Sequence, residues 1–141
     1  NVLIGEGLVD YGYLDQAAEL VGKLLRACIA SLHEQQASRE AYSGDRPGGI
    51  GERGHNAGIA PLSLLLYVLG VRLITPTKIT LRGHNSFPWP IDLRWRGVTI
   101  RWEAEEAQVR FPDGGETRVI GRRIQTVEQV APMAEAILTG E

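Results

Sequence analysis

The stretch Ile91-Asp92-Leu93-Arg94-Trp95-Arg96-Gly97-Val98-Thr99-Ile100-Arg101-Trp102 decides the fold class of this chain. Apolar and polar residues alternate on both sides of Arg96-Gly97. Successive side chains of a strand point to opposite faces, so the pattern predicts two antiparallel strands with one wet face, joined at a turn. Lys78-Ile79-Thr80-Leu81-Arg82 and Gln108-Val109-Arg110-Phe111 alternate in the same way, and Pro112-Asp113-Gly114-Gly115 supplies another turn. Thr117-Arg118-Val119-Ile120 predicts a fifth strand. Arg94, Arg96 and Arg101 read as a solvated face. Trp95 and Trp102 fall where packing is expected, although the faces of Trp89, Trp95 and Trp102 could also stack on sugar rings.

Upstream of this region the apolar period is helical. Leu3, Ile4, Leu8 and Val9 lie at helical spacing, and Gly12 is suited to a C-terminal cap. A second helix is predicted from about Asp15 to His33, with Ala17, Leu20, Val21, Leu24, Leu25, Cys28, Ile29 and Leu32 forming a stripe broad enough to need more than one neighbour. A third, from Ile59 to Leu69, is apolar nearly all round and is expected to be buried, with Gly70 ending it. Between the second and third helices, residues 38–56 are too rich in glycine for helix or regular strand and read as a long loop, functional or disordered. The tail from Thr126 to Leu138 reads as a short helix with a threonine cap. The fold class is therefore α+β: a helical part over 1–74, an antiparallel β-region over 75–121 and a helical tail over 122–141. The apolar load of the helices exceeds what so small a sheet can cover, which calls for oligomerisation or a larger helical array.

Composition narrows the partners. A chain of 141 residues with formal charge -2 gives no reason to expect nucleic acid or an anionic membrane surface. One cysteine, Cys28, and three dispersed histidines provide neither an internal disulfide nor a zinc framework, and no metal or cofactor is expected. No apolar run reaches the roughly 20 residues of a membrane span, and a cytoplasmic location is expected. The opening Asn1-Val2-Leu3-Ile4-Gly5-Glu6 reads as the middle of an apolar helix, so further helices are expected upstream.

The loop concentrates the polar groups: Glu40, Tyr42, Asp45, Glu52, Arg53, His55 and Asn56. By spacing alone, Glu40 and Glu52 read as solvated carboxylates, and His55 serves equally well as a cap of the third helix. His33 and His84 read as ordinary surface or loop residues.

The order of the motifs resembles a known family. Asn1-Val2-Leu3-Ile4-Gly5-Glu6-Gly7-Leu8-Val9-Asp10-Tyr11-Gly12-Tyr13, then Glu40-Ala41-Tyr42, the glycines from Gly44 to Gly51 and Gly54-His55-Asn56-Ala57 resemble the end of an (α/α)6-barrel glycoside hydrolase. That group includes processing alpha-glucosidases, trehalases and mannosylglycerate-hydrolase-like enzymes. Gly83-His84-Asn85-Ser86-Phe87-Pro88-Trp89-Pro90 and the strands after it resemble the small C-terminal β-region of many bacterial members. The resemblance implies three helices from the end of a barrel, a carbohydrate substrate and an inverting mechanism. It implies Glu40 as general base, with Tyr42, His55 and Asn56 lining the sugar site. An inverting glycosidase needs a second carboxyl group about 6.5–9.5 Å away. The family's general acid has no counterpart in these residues, so the chain is expected to be inactive alone, completed by the rest of a barrel or by a homo-oligomer partner. The alternative is a non-catalytic carbohydrate-binding or assembly module that packs against another chain.

Overall fold

The computed structural model describes residues 2–43, 48–55 and 60–130. Helix α1 (Val2–Asp10) stops where Gly12 adopts φ +84°, the left-handed region that a glycine enters without steric cost. The N–H of Tyr13 bonds the carbonyl of Leu8 at 2.8 Å and that of Gly12 bonds Val9 at 3.0 Å, which satisfies carbonyls the helix end would leave bare. Helix α2 (Leu14–Gln35) follows at once, and its buried Leu14, Ala17, Ala18, Val21 and Leu24 recur at helical spacing. Helix α3 (Ala60–Val68) ends as α1 does, with Gly70 at φ +70° and bonds from Gly70 to Tyr67 and from Val71 to Leu66. The three helices pack on one another. Gly5 is a point of close approach, because a Cβ there would collide with the Leu64 side chain.

Strands β1 (Arg39–Tyr42) and β2 (Gly49–Arg53) form an antiparallel pair with a bulge between Arg39 and Ala41. Strands β3 (Leu73–Ile74) and β4 (Lys78–Arg82) join β9 (Ile124–Glu128) in a three-stranded sheet of order β3-β4-β9. Between them in sequence, β5 (Ile91–Trp95), β6 (Val98–Trp102), β7 (Glu106–Arg110) and β8 (Glu116–Ile120) form a four-stranded antiparallel meander. Alternation sets its two faces. Val98, Ile100, Trp102, Ala107, Val109 and Val119 are buried, while Arg94, Arg101, Arg110 and Arg118 are exposed. The buried set forms one cluster with Ile79 and Leu81 of β4, Leu64 and Val68 of α3, and the buried stripe of α2.

The α+β class stands, and the strands expected around 78–82, 91–96, 98–102, 108–111 and 117–120 are present. Other expectations are corrected. An (α/α)6 barrel rests on rings of paired helices, whereas here three helices pack together above small antiparallel sheets among the described residues. The stretch 38–56 contains a strand pair, because its glycines take up positive φ at Gly48, Gly51 and Gly54 and leave Arg39–Tyr42 and Gly49–Arg53 free to pair. The tail is strand as far as Glu128. Thr126 faces Thr80 across β4 and β9, with the two hydroxyls 2.8 Å apart, so it caps no helix there; residues 131–138 lie outside the described residues. Helix α3 is not buried all round, since Leu62 is 55% exposed. Trp95, at the turn end of β5, is exposed rather than packed, with the Arg96 guanidinium 5.7 Å from its ring centroid.

Candidate functional site

The strand pair that carries Glu40 is fastened to the end of α2. Gln36 takes φ 54° and turns the chain out of the helix. Arg39 then donates from Nε to Gln35 Oε1 at 2.6 Å and from Nη1 to the Gly51 carbonyl at 3.0 Å. Arg53 Nη2 donates to the Gln35 carbonyl at 3.0 Å, and the buried Ser31 hydroxyl donates to the Ala37 carbonyl at 3.0 Å. Arginine at a helix C-terminus satisfies bare carbonyls and faces the negative end of the helix dipole. These bonds fix how the hairpin sits on α2.

Glu40 lies at the bulge and is exposed. Gly51 stands beside it at φ +85°, and a Cβ at that position would come within 2.7 Å of Glu40 Oε2, so the missing side chain leaves the space the carboxylate occupies. Tyr42, half-buried, is engaged by Cys28 of α2. Burial and the Cys28 bond together raise its hydroxyl above the usual tyrosine range. His55 follows β2 with an exposed side chain, and its carbonyl accepts a bond from the Ser38 hydroxyl at 3.3 Å. Glu52 is exposed on β2. Asn56 lies outside the described residues. The hairpin therefore gathers Glu40, Tyr42 and His55 on one short element, with Tyr42 turned to the helix and Glu40 open to solvent.

The apolar stripe of α2 runs on past its cover. Leu14, Ala17, Val21 and Leu24 are buried under the other helices and the sheets, but Ile29 is 64% and Leu32 50% exposed further along the helix. The hairpin packs on α2 along Cys28, Ser31 and Gln35, where Tyr42 engages Cys28 and Arg39 bonds Gln35. Leu3 and Ile4 of α1, Leu62 of α3, and Tyr11 and Tyr13 at the α1–α2 junction are exposed as well. Scattered exposed apolar residues are normal on a protein surface, but large ones on all three helices of one layer are the pattern of a surface that packs against something. The broad stripe was legible in the sequence; which part of it stays bare was not.

Sequence reading missed three buried polar residues. Arg82 donates from Nη1 to the Val68 carbonyl at 2.7 Å and from Nε to the Arg122 carbonyl at 2.6 Å. Burial, then the charges of Arg72 and Arg122, lower its pKa from the usual arginine value. His84, read as an ordinary surface or loop residue, lies in the loop after β4 but is buried, with Nδ1 3.2 Å from Glu105 Oε1 and Nε2 3.0 Å from the Ser86 hydroxyl. Asn85 is buried and bridges its own loop through bonds to Phe87 and Trp89. Only the unusual mix Gly83-His84-Asn85 after a strand signalled them, since Arg82 and His84 find Val68, Arg122 and Glu105 in distant segments.

Among the described residues no group of three or more His, Cys, Asp or Glu side chains is placed to hold a metal ion. No helix among them is long and apolar enough to cross a membrane. Comparison with known proteins finds no matching family model, no matching curated protein and no matching solved structure. With three helices above antiparallel sheets and no family match, the resemblance to the end of an (α/α)6-barrel glycosidase is set aside.

Proposed function

We propose that this chain is a carbohydrate-handling module whose helical layer packs against another chain. The observation that carries this reading is the apolar stripe of α2, which continues beyond its cover as Ile29 and Leu32, with Leu3, Ile4 and Leu62 exposed on α1 and α3. Covering such a face contributes roughly 25 cal/mol for each Å² of apolar surface removed from water. The carbohydrate part of the reading rests on the Glu40 carboxylate, which stands open to solvent on the same short hairpin as Tyr42.

Within such an assembly Glu40 takes one of two roles. Where the partner surface brings a carboxylic acid to about 6.5–9.5 Å, Glu40 acts as the base that deprotonates water for inverting hydrolysis. Where it does not, the module binds without catalysing. The exposure of Glu40 favours this second, non-catalytic role for the chain by itself.

The test is the state of association. The chain is run on a sizing column with light scattering, alone and with protein from its native source. Association is expected for the wild type and lost in the double variant Ile29→Lys, Leu32→Lys. Identical elution of both as lone monomers would sink the packing claim. Glu40→Gln in the assembled protein then separates the two roles, since loss of a general base lowers turnover about 100-fold or more.

A further inference from the structure

A cleft of about 240 Å³ lies between α2 and the segment that joins β4 to β5. Asp15, Ala18, Glu19, Gly22 and Arg26 line it from the helix, and Ser86, Pro88 and Trp89 from the segment. The helix residues recur at three- and four-residue spacing, so they share one face of α2. Its smallest members, Ala18 and Gly22, are buried, while Asp15, Glu19 and Arg26 are exposed. A Cβ on Gly22 would be in ordinary contact with its neighbours, 3.9 Å from Trp89 Cη2 and 3.6 Å from Arg26 Nη1, so the indole edge is seated against the helix at this glycine.

Trp89 is 43% exposed, yet its surroundings hold it in place. Pro88 and Pro90 flank it and restrict the backbone on both sides. The Asn85 amide donates to the Trp89 carbonyl at 2.8 Å, while its oxygen accepts the Phe87 N–H at 3.0 Å. The buried Phe87 ring lies against the indole, with centroids 5.9 Å apart. His84 fixes Ser86 from below at 3.0 Å. A large, part-exposed aromatic side chain is thus held at the cleft with little further cost in ordering, which is what a preformed binding surface requires.

The charges around the cleft define what fits. Asp15 and Glu19 are acidic and Arg26 is basic, while Lys23 pairs with Glu19 at 2.7 Å. An anion would meet Asp15 and Glu19, and an ammonium group would meet Arg26. An uncharged molecule with an apolar face for the indole, and hydroxyls that both donate and accept around its edge, meets no such penalty. The carboxylates accept, the guanidinium donates and the Ser86 hydroxyl can do either. The volume is below the roughly 300–1,000 Å³ of pockets for larger ligands, which suits a single ring.

We infer that this cleft binds one pyranose ring of an uncharged saccharide, stacked on Trp89 and bonded along its edge by Asp15, Glu19 and Arg26. The inference adds a site to the carbohydrate reading above and rests on that reading for the choice of a sugar among neutral polyols. It does not involve Glu40 or the bare helical face.

The test is a titration of the full chain followed through the tryptophan indole N–H signals by NMR. Glucose, galactose, mannose and short neutral oligosaccharides of each are the probes, with acetate, methylammonium and glycerol as controls. Saturable shifts of the Trp89 signal are expected with at least one neutral sugar, at millimolar dissociation constants or tighter. Free sugar and glycan end are separated by whether the monosaccharide or the oligosaccharide binds more tightly. Trp89→Ala, followed through the backbone amides of Ala18 and Gly22 in the same cleft, is expected to weaken binding about tenfold or more through loss of the indole. Gly22→Leu, which keeps Trp89 and favours helix, is expected to weaken binding about tenfold or more, because the atoms beyond its Cβ would push the indole edge and Arg26 from their places on the helix face. Trp95→Phe, at an exposed tryptophan outside the cleft, is expected to bind as the wild type does, and the proposal for Glu40 keeps its own test, the turnover of Glu40→Gln in the assembled protein. Absence of any saturable shift with these sugars, an equal response to the controls, or unchanged binding in Gly22→Leu would overturn the inference.

Discussion

The indole N–H of Trp102 donates to the backbone carbonyl of Arg82 at 2.8 Å, which ties the centre of the four-stranded sheet to the end of β4. Arg82 in turn bonds the Val68 carbonyl at the end of α3 and the Arg122 carbonyl before β9. Four segments far apart in sequence meet at this pair, and both side chains are buried. Replacing Trp102 with Phe removes the bond and leaves a void beside a buried carbonyl. The expected cost is about 1–3 kcal/mol. Urea unfolding checks it, with a lower midpoint and an unchanged slope.

Gly70 and Gly7 make opposite predictions. Gly70 has φ +70°, and an added Cβ would lie 2.7 Å from the Arg82 Cβ and 3.0 Å from its backbone nitrogen. Gly70→Ala is therefore expected to destabilise by about 1–2 kcal/mol or more. Gly7 lies within α1 with open space around an added Cβ. Gly7→Ala is expected to stabilise by about 0.5–1 kcal/mol, since alanine loses less backbone freedom in a helix. Thermal melts of the two variants should move in opposite directions.

Tyr42 predicts an alkaline response. Its pKa in the folded protein lies above the ordinary value of 10.0, because burial and the Cys28 bond favour the protonated phenol. The unfolded chain therefore loses this proton first. The contribution is complete below pH 10 and fades as pH rises from 10 through the folded value. Tyr42→Phe should remove that share of the alkaline loss, leaving a flatter stability profile above pH 10. A pH series of urea midpoints, wild type against variant, is the measurement. Parallel curves would contradict the assignment.

Ile29 and Leu32 are predicted to matter for association and not for folding. Both are largely exposed, so Ile29→Lys and Leu32→Lys should each change unfolding free energy by no more than about 0.5 kcal/mol. A larger loss would mean that these side chains already have cover within the chain.

Much of the β-region was legible because its signal is local. From Ile91 to Trp102 the alternation sets which residues face inward, and Ile100 and Trp102 are fully buried while Arg101 is exposed. The glycine caps of α1 and α3 were legible for the same reason, since an αL residue is required within the stop itself. The hairpin at Arg39–Tyr42 was not, because its strands are short and its register comes from Arg39 and Arg53 gripping the end of α2. Strand β9 was misread as the start of a helix because Thr126 suits either a cap or a strand, and pairing with Thr80 decided the matter. At the candidate site, Glu40 and Tyr42 were singled out by the resemblance, while spacing alone read Glu40 as a solvated carboxylate; that Cys28 would engage Tyr42 and Gly51 would make room for Glu40 lay outside any local pattern.

The sequence by itself determined the α+β class, the faces of the strands in the four-stranded sheet and the excess apolar surface of the helices. Each depends on periodicity or composition, which a linear pattern records. Only the tertiary structure decided that Arg82 and His84 are buried, that Ile29 and Leu32 are bare, and that Trp89 stands over Gly22 in a cleft. Burial of a particular side chain depends on which distant segment comes to lie against it. That choice is made by the packing of the whole chain and leaves no mark at the residue concerned.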